Sequence, residues 1–329
     1  MSVKLLLELS MECESLARAE AVSAARALGG NPRVLNEGPG VLVLDTSAEP
    51  VEFASRLGLC HHVGQWLSSC APEDIEGCAE KIDVPGPVRV RSTKVGELSV
   101  DLASTARKVG AIVGRSRGVD LHRPTSDIRV VYTDKVYFAR VLASINRSAF
   151  ESRKNRYLPF IYPASLHPKF ARALVNLAEV PAGGRLLDPF CGTGAIIAEA
   201  SLVGLRSIGS DFSEKMIAGA TRNLAHLRLE AELHLCDVGD ISREVGAVSG
   251  IATDPPYGRS TSTEGEGIQE LYARAFKSFG EVLDRGSRAS IVVPDVKLLE
   301  SADSFRLLET HPLRVHRSLM RNFCVLERV

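Results

Sequence analysis

The sequence has no net charge, since 40 Lys/Arg balance 40 Asp/Glu. It has no CxxC pair, and its seven cysteines are an odd number. Neither a zinc ribbon nor a closed set of disulfides is therefore indicated. Cys60, His61 and His62 stand together, but nothing supplies the remaining ligands of a metal site, and buried thiols in a reducing compartment are the expected reading. No apolar stretch approaches the roughly 20 residues of a membrane helix. The opening run MSVKLLLELSMECES is short and broken by Glu8, unlike a secretory leader. A soluble, cytoplasmic protein with no membrane contact is expected. There is no internal repeat, no low-complexity tract and no GxGxxG. What remains is a 329-residue chain, 45% hydrophobic, long enough for two or three domains.

The zero net charge conceals an uneven distribution. Residues 1–84 hold 6 Lys/Arg and 13 Asp/Glu, residues 85–156 hold 15 and 6, and residues 157–329 hold 19 and 21. The middle segment is the candidate anion-binding surface. Periodicity predicts strands at 3–9 and 41–44 with helices at 11–28 and 50–58, a small α+β unit ending near 60. A basic α+β region follows to about 150, with a strand at 87–92, a helix at 97–113 and a hairpin around Thr133-Asp134. NRSAFESRKNRYLPF reads as a linker. From 166 onward strands and helices alternate: 185–190, 206–211, 231–237, 248–254 and 287–295 as strands, with helices at 193–204, 213–227 and 267–283. That order implies a mostly parallel sheet with crossover helices. The tail, 313–319 and 323–329, reads as a closing antiparallel hairpin.

Chemistry concentrates at the strand ends. In DPFCGTGA (188–195) the loop between strand and helix holds Gly192 and Gly194, which let backbone approach a ligand, with free helix N–H groups behind them. Asp188 before the glycines would repel a pyrophosphate but favour an ammonium. Asp211 ends the next strand, where an acid accepts ribose hydroxyls. Asp237 ends the third, where it would bond an adenine amine. Asp254 ends the fourth, in TDPPYGRS. Four carboxylates at successive strand tips beside a glycine loop fit a ligand with an ammonium, a ribose diol, an adenine amine and no phosphate. S-adenosyl-L-methionine is that ligand. Cys191, in the glycine loop, faces the cofactor and is not read as a nucleophile.

DPFCGTG together with DPPYG resembles the amino-directed methyltransferases, whose fourth motif is Asp/Asn-Pro-Pro-aromatic. In such a site Asp254 accepts a hydrogen bond from an exocyclic amine and makes its nitrogen more nucleophilic. The two prolines hold the carboxylate, and Tyr257 offers a face for an unstacked base. The catalytic candidates are Asp254 and Tyr257. The cofactor candidates are Asp188, Phe190, Gly192, Gly194, Asp211, Asp237, Asp254 and Pro255.

The likeness extends along the chain. RPTSDIRVVYTDKVYFAR (123–140) resembles the C-terminal half of a THUMP domain, HPKFARALVNLAEV (167–180) the helix before the cofactor loop, and DPPYGRS with HRSLMRNFCVLERV the archaeal-type THUMP tRNA (guanosine-10 N2) methyltransferases. The resemblance implies a ferredoxin-like domain over 1–60, THUMP over 61–150, a linker over 151–165 and a Rossmann-like methyltransferase domain over 166–329. It further implies N2-methyl- and N2,N2-dimethylguanosine as products and a THUMP domain that grips the tRNA acceptor end, with no obligate protein partner. Another guanosine in tRNA or rRNA, or a non-catalytic RNA-binding subunit, are the alternatives. Arg91, Lys94, Arg115, Arg117, Arg123, Arg129, Arg147, Lys154 and Arg156 are the candidate phosphate contacts, with Arg123 alternatively pairing Asp127. Tyr162 to His167 would cover the methionine end of the cofactor. Arg317 and Arg321 would bind RNA near the site or cap the hairpin.

Overall fold

The computed structural model describes residues 2–163, 165–258, 267–317 and 319–329. Arg259 and Ser260 of TDPPYGRS, Ala164 and Ser318 lie outside the described residues. The chain divides into two compact units.

The first unit comprises residues 1–14, 30–55 and 60–145. In chain order the elements are β1 (Val3–Leu9), α1 (Glu14–Ala27), β2 (Arg33–Gly38), β3 (Val41–Thr46), α2 (Pro50–Arg56), β4 (Cys60–Cys70), α3 (Ile75–Glu80), β5 (Val88–Lys94), α4 (Leu102–Val113), β6 (Ser126–Tyr132) and β7 (Val136–Ser144). Almost all of α1 groups with the second unit. One seven-stranded sheet runs in the order β2-β3-β1-β4-β7-β6-β5. β4 bonds β1 on one edge and β7 on the other, so the sheet passes through residue 60 without a break. β2 and β4 carry no alternation that sequence could reveal. RVLNEG is an edge strand with a single buried residue, and CHHVGQWLSSC mixes polar and apolar residues without alternation. The core packs Val88, Val109, Val113, Ile128, Val130 and Phe138 between α4 and the sheet. Asp101 caps α4 by accepting the Ser104 amide at 2.9 Å.

The second unit holds residues 15–29, 56–59 and 146–329. Its further elements are α5 (Arg147–Ser152), α6 (Pro168–Leu177), β8 (Arg185–Asp188), α7 (Ala195–Leu202), β9 (Arg206–Asp211), α8 (Glu214–Leu227), β10 (Glu232–Leu235), α9 (Ile241–Glu244), β11 (Val248–Thr253), α10 (Ile268–Val282), β12 (Leu283–Val293), β13 (Phe305–His316) and β14 (Leu319–Arg328). Pro168 at the first turn and the His167 side chain, which accepts from the Lys169 amide, start α6. The sheet order is β10-β9-β8-β11-β12-β14-β13. Strands β8 to β12 pair in parallel, and β14 is antiparallel to both β12 and β13. This is the expected α/β architecture, a parallel core closed by an antiparallel hairpin. Leu187, Ile251, Phe276, Phe279 and Ile291 are among the side chains of its core. The chain winds outward from β8 through β9 to β10, then crosses back to place β11 on the other side of β8. Ligands of open α/β sheets bind beyond the carboxyl ends of strands at such a reversal. No helix among the described residues is long and apolar enough to cross a membrane.

Candidate active site

A cavity of about 390 Å³ opens at that reversal, within the usual span of about 300–1,000 Å³ for small-ligand sites. Asp188, Phe190, Gly192, Asp211, Asp254, Pro255 and Tyr257 all line it. These come from the ends of β8, β9 and β11 and the loops beyond them.

Asp188 is 1% exposed. Its Oδ1 accepts the Thr253 hydroxyl at 2.7 Å and the Phe190 amide at 3.2 Å. Burial pushes its carboxyl up to about 7, against the pull of those two bonds. Asp211 accepts the Gly192 amide at 3.0 Å and the Ser213 amide at 2.9 Å, and burial raises it too. Among the described residues no cation pairs with either carboxylate. A buried acid that borders a cavity without a cationic partner suits an ammonium. Asp211, whose oxygens retain free lone pairs, suits a diol. The acceptors present thus fit S-adenosyl-L-methionine. Gly192 adopts φ 49° and Gly194 φ 84°, left-handed values that favour glycine. Gly194 does not line the cavity. It starts α7 and lies against α8, where a Cβ would meet that of Ala220 at 3.4 Å.

Asp254 sits one strand from Asp188. Burial pushes it up to about 6, while the Arg321 guanidinium and the Tyr257 hydroxyl pull it down. The Tyr257 hydroxyl donates to Asp254 Oδ1, and Tyr257 lines the cavity. Arg321 Nε donates to the Tyr257 oxygen at 3.3 Å, and Arg321 Nη2 lies 4.0 Å from Asp254 Oδ2. Arg321 is only 9% exposed. It neither caps the hairpin at the surface nor offers an open RNA contact. Arg317 is exposed. Burial raises the Cys191 thiol well above its ordinary range, which leaves little thiolate for nucleophilic attack.

Asp237 is the strand-end acid that the fold does not bring to the cavity. It follows edge strand β10, two strands from β8, a displacement of about 10 Å. Its carboxylate takes the Gly239 amide at 2.8 Å and the Arg274 guanidinium, and these bonds hold it below the usual range although burial works the other way. Of the four strand-end acids, Asp188, Asp211 and Asp254 line the cavity and Asp237 does not.

The basic candidates separate by environment. Arg129 is 8% exposed and gives Nε and Nη2 to Glu8 at 2.7 and 2.9 Å. A guanidinium so enclosed is an internal ion pair, which replaces its reading as a phosphate contact. Asp127 binds Arg89 and Arg91, not Arg123. Arg117 pairs with Asp83, Lys154 with Glu151, and Lys94 donates to the Leu98 carbonyl. Arg156 lies 4.7 Å over the Tyr157 ring. Arg115, Arg123 and Arg147 are exposed.

Sequence reasoning missed Thr253 and Lys215, and it left the place of Arg321 open. Ser165 Oγ is 3.0 Å from Thr193 Oγ1, and both residues line the cavity with Tyr162, Pro163 and Leu166. Thr253 had a signal in its place directly before the DPPY motif. Lys215 had none.

The RMKL-like, methyltransferase domain matches residues 155–322. The tRNA (guanine(10)-N2)-dimethyltransferase of Methanothermobacter thermautotrophicus is 35% identical over 99% of this chain and 100% of its own length. That of Pyrococcus abyssi is 33% identical over 87% of this chain and 89% of its own. The crystal structure of TrmN from Thermus thermophilus matches with a TM-score of 0.55 at 24% identity, over 99% of this chain and 100% of that one, a likeness in fold. With one relative matched end to end and the domain match spanning the cavity, the chain belongs to the tRNA (guanine(10)-N2)-dimethyltransferase family of S-adenosyl-L-methionine-dependent methyltransferases.

Proposed function

We propose that this chain transfers methyl groups from S-adenosyl-L-methionine to the exocyclic N2 of guanosine 10 in tRNA, giving N2-methyl- and then N2,N2-dimethylguanosine. The observation that carries this is the placement of Asp254 in the same cavity as Asp188 and Asp211, on the strand next to Asp188. Asp188 holds the ammonium of the cofactor and Asp211 its ribose hydroxyls, with Phe190, Gly192 and Pro255 against it. When bound, the cofactor supplies an electrophilic methyl on a sulfonium. Asp254 accepts a hydrogen bond from the target amine and withdraws its lone pair from the ring. It then takes the proton that the nitrogen sheds as its bond to carbon forms. Tyr257 presents its ring to the extruded guanine while its hydroxyl steadies Asp254 Oδ1. Pro255 and Pro256 fix the direction of that carboxylate.

In the same reading residues 1–60 are ferredoxin-like, 61–150 are a THUMP domain that grips the acceptor end, 151–165 are a linker and 166–329 carry the chemistry. The excess of positive charge over 85–156 supports it, because A-form RNA is recognised largely through backbone and shape. Arg91, Lys94, Arg115, Arg123, Arg147, Lys154 and Arg156 remain the proposed contacts.

Methylation of a tRNA transcript with labelled cofactor, followed by nucleoside analysis and mapping, tests the assignment. Label in N2-methyl- and N2,N2-dimethylguanosine at position 10 is expected. Label in another guanosine reassigns the target, and label in no guanosine refutes the activity.

A further inference from the structure

The Asp254 carboxylate does not stand alone at the end of β11. The Tyr257 hydroxyl binds Oδ1. Arg321, on β14, reaches both partners, at 3.3 Å to the Tyr257 oxygen and 4.0 Å to Asp254 Oδ2. Arg321 is placed by the hairpin register, in which it pairs with Leu313 of β13. A guanidinium that is nine-tenths buried beside a carboxylate is an expensive arrangement unless the two charges act on each other. Two further groups couple electrostatically to Asp254, an acid and a phenol, and neither supplies positive charge. Asp188, on β8, is a like charge. Tyr272, on α10, is a buried phenol whose ionisation Asp254 opposes. Among the described residues, Arg321 is the cation that acts on Asp254 from outside its own loop.

We propose that Arg321 is a positioning residue for the methyl transfer: from β14 it fixes the Tyr257 hydroxyl and the Asp254 carboxylate as one cluster, so that a charged acceptor edge meets the target amine in a single orientation. This rests on the reading of Asp254 given above. Burial lifts the Asp254 carboxyl, and the Arg321 guanidinium is the stronger of the two influences that lower it. An arginine suits the post because its planar fork can address two acceptors at once, which a lysine ammonium does only as a point charge. Arg321 touches neither the methyl donor nor the amine in this scheme. It acts through Asp254 and Tyr257.

The test is the pH profile of single-turnover methylation, with enzyme and cofactor in excess over a tRNA transcript, for wild type, Arg321→Met and Arg321→Lys. Arg321→Met is expected to lower the rate on the order of tenfold or more at neutral pH and to move the acidic limb up by about one unit. The KM for S-adenosyl-L-methionine should stay within about twofold. Arg321→Lys should restore the position of the limb but only part of the rate. Should Arg321→Met fail to fold, Arg321→Lys decides: a reduced rate with an unchanged cofactor KM supports the proposal, and a wild-type rate and profile overturns it. Asp254→Asn in the same assay separates the two levels. A full rate there overturns the reading of Asp254 together with the part given to Arg321. An inactive Asp254→Asn beside an Arg321→Met of unchanged rate and limb overturns the part of Arg321 alone.

Discussion

Asp188 is the residue at which stability and function pull apart most sharply. Among the described residues, both of its hydrogen bonds, from Thr253 and Phe190, fall on Oδ1. Asp188→Asn can keep both through its own Oδ1, and it replaces Oδ2 with an amide nitrogen. The wild-type carboxyl is pushed from 3.8 to about 7, so the folded state binds this proton more tightly than the unfolded chain does. The charged form is penalised in the fold, the penalty is complete above about pH 7, and it fades as pH falls toward 3.8. Three pKa units correspond to about 4 kcal/mol as an upper bound. An amide NH₂ left without a good acceptor returns about 1–3 kcal/mol of that. Asp188→Asn should therefore be more stable than wild type by about 1–3 kcal/mol at pH 8, and the gain should shrink or reverse at pH 5.

Urea unfolding at both pH values reads this directly. Calorimetric titration with S-adenosyl-L-methionine should show the opposite trend. Without the carboxylate the ammonium loses its counter-charge, and affinity should fall about ten- to a hundredfold. A variant that is no more stable at pH 8 than wild type, with the same difference at pH 5, refutes the account of burial. Undiminished cofactor affinity refutes the assignment of the ammonium to Asp188.

Three further outcomes follow from the same geometry. With cofactor saturating, the wild-type single-turnover rate should fall about tenfold per pH unit below the Asp254 value of about 6, and a rate that stays flat to pH 5 contradicts a charged acceptor there. Arg129→Met leaves the buried Glu8 uncompensated and should cost about 3–5 kcal/mol in denaturant unfolding, while the salt dependence of tRNA binding stays as it was. Arg115→Gln and Arg123→Gln should instead leave stability within about 0.5 kcal/mol and each reduce the slope of log affinity against log salt by about 1, measured by filter binding. An Arg129 effect confined to tRNA binding would reverse that sorting.

What could be read from sequence is what period and punctuation encode. Strands β8 and β11 are short, mostly apolar runs that lead into Asp-Pro, the first followed by glycines, so strand, loop and acid were visible together. β2 and β4 were not visible. An edge strand gains its place from one neighbour's hydrogen bonds, and β4 is specified by partners on both sides more than by its own polar side chains. The same limit governs the site. Asp188, Asp211 and Asp237 look alike in sequence, each an acid at a strand end, but what separates them is lateral position in the sheet. Asp211 is one strand from β8 and reaches the Gly192 amide. Asp237 is two strands away, and Arg274 claims it.

Arg321 shows the complementary limit. It lies 67 positions after Asp254, on a strand whose local pattern says only that a hairpin closes the sheet. Its relation to Asp254 arises because β14 inserts between β12 and β13 and runs antiparallel to β12, so that the start of β14 lies toward the carboxyl end of β12, the end of the sheet at which β11 delivers Asp254. Asn322 pairs with Val293 at the last residue of β12, which sets Arg321 just beyond that end. Had the hairpin slipped by one residue, the guanidinium would point to the other face of the sheet, and Asp254 would lose that cation. The antiparallel tail is thus more than an edge for the parallel core: its register is what brings a cation to the acid of a motif that, read alone, accounts for the carboxylate and the ring but supplies no charge to keep that carboxylate ionised in a buried place.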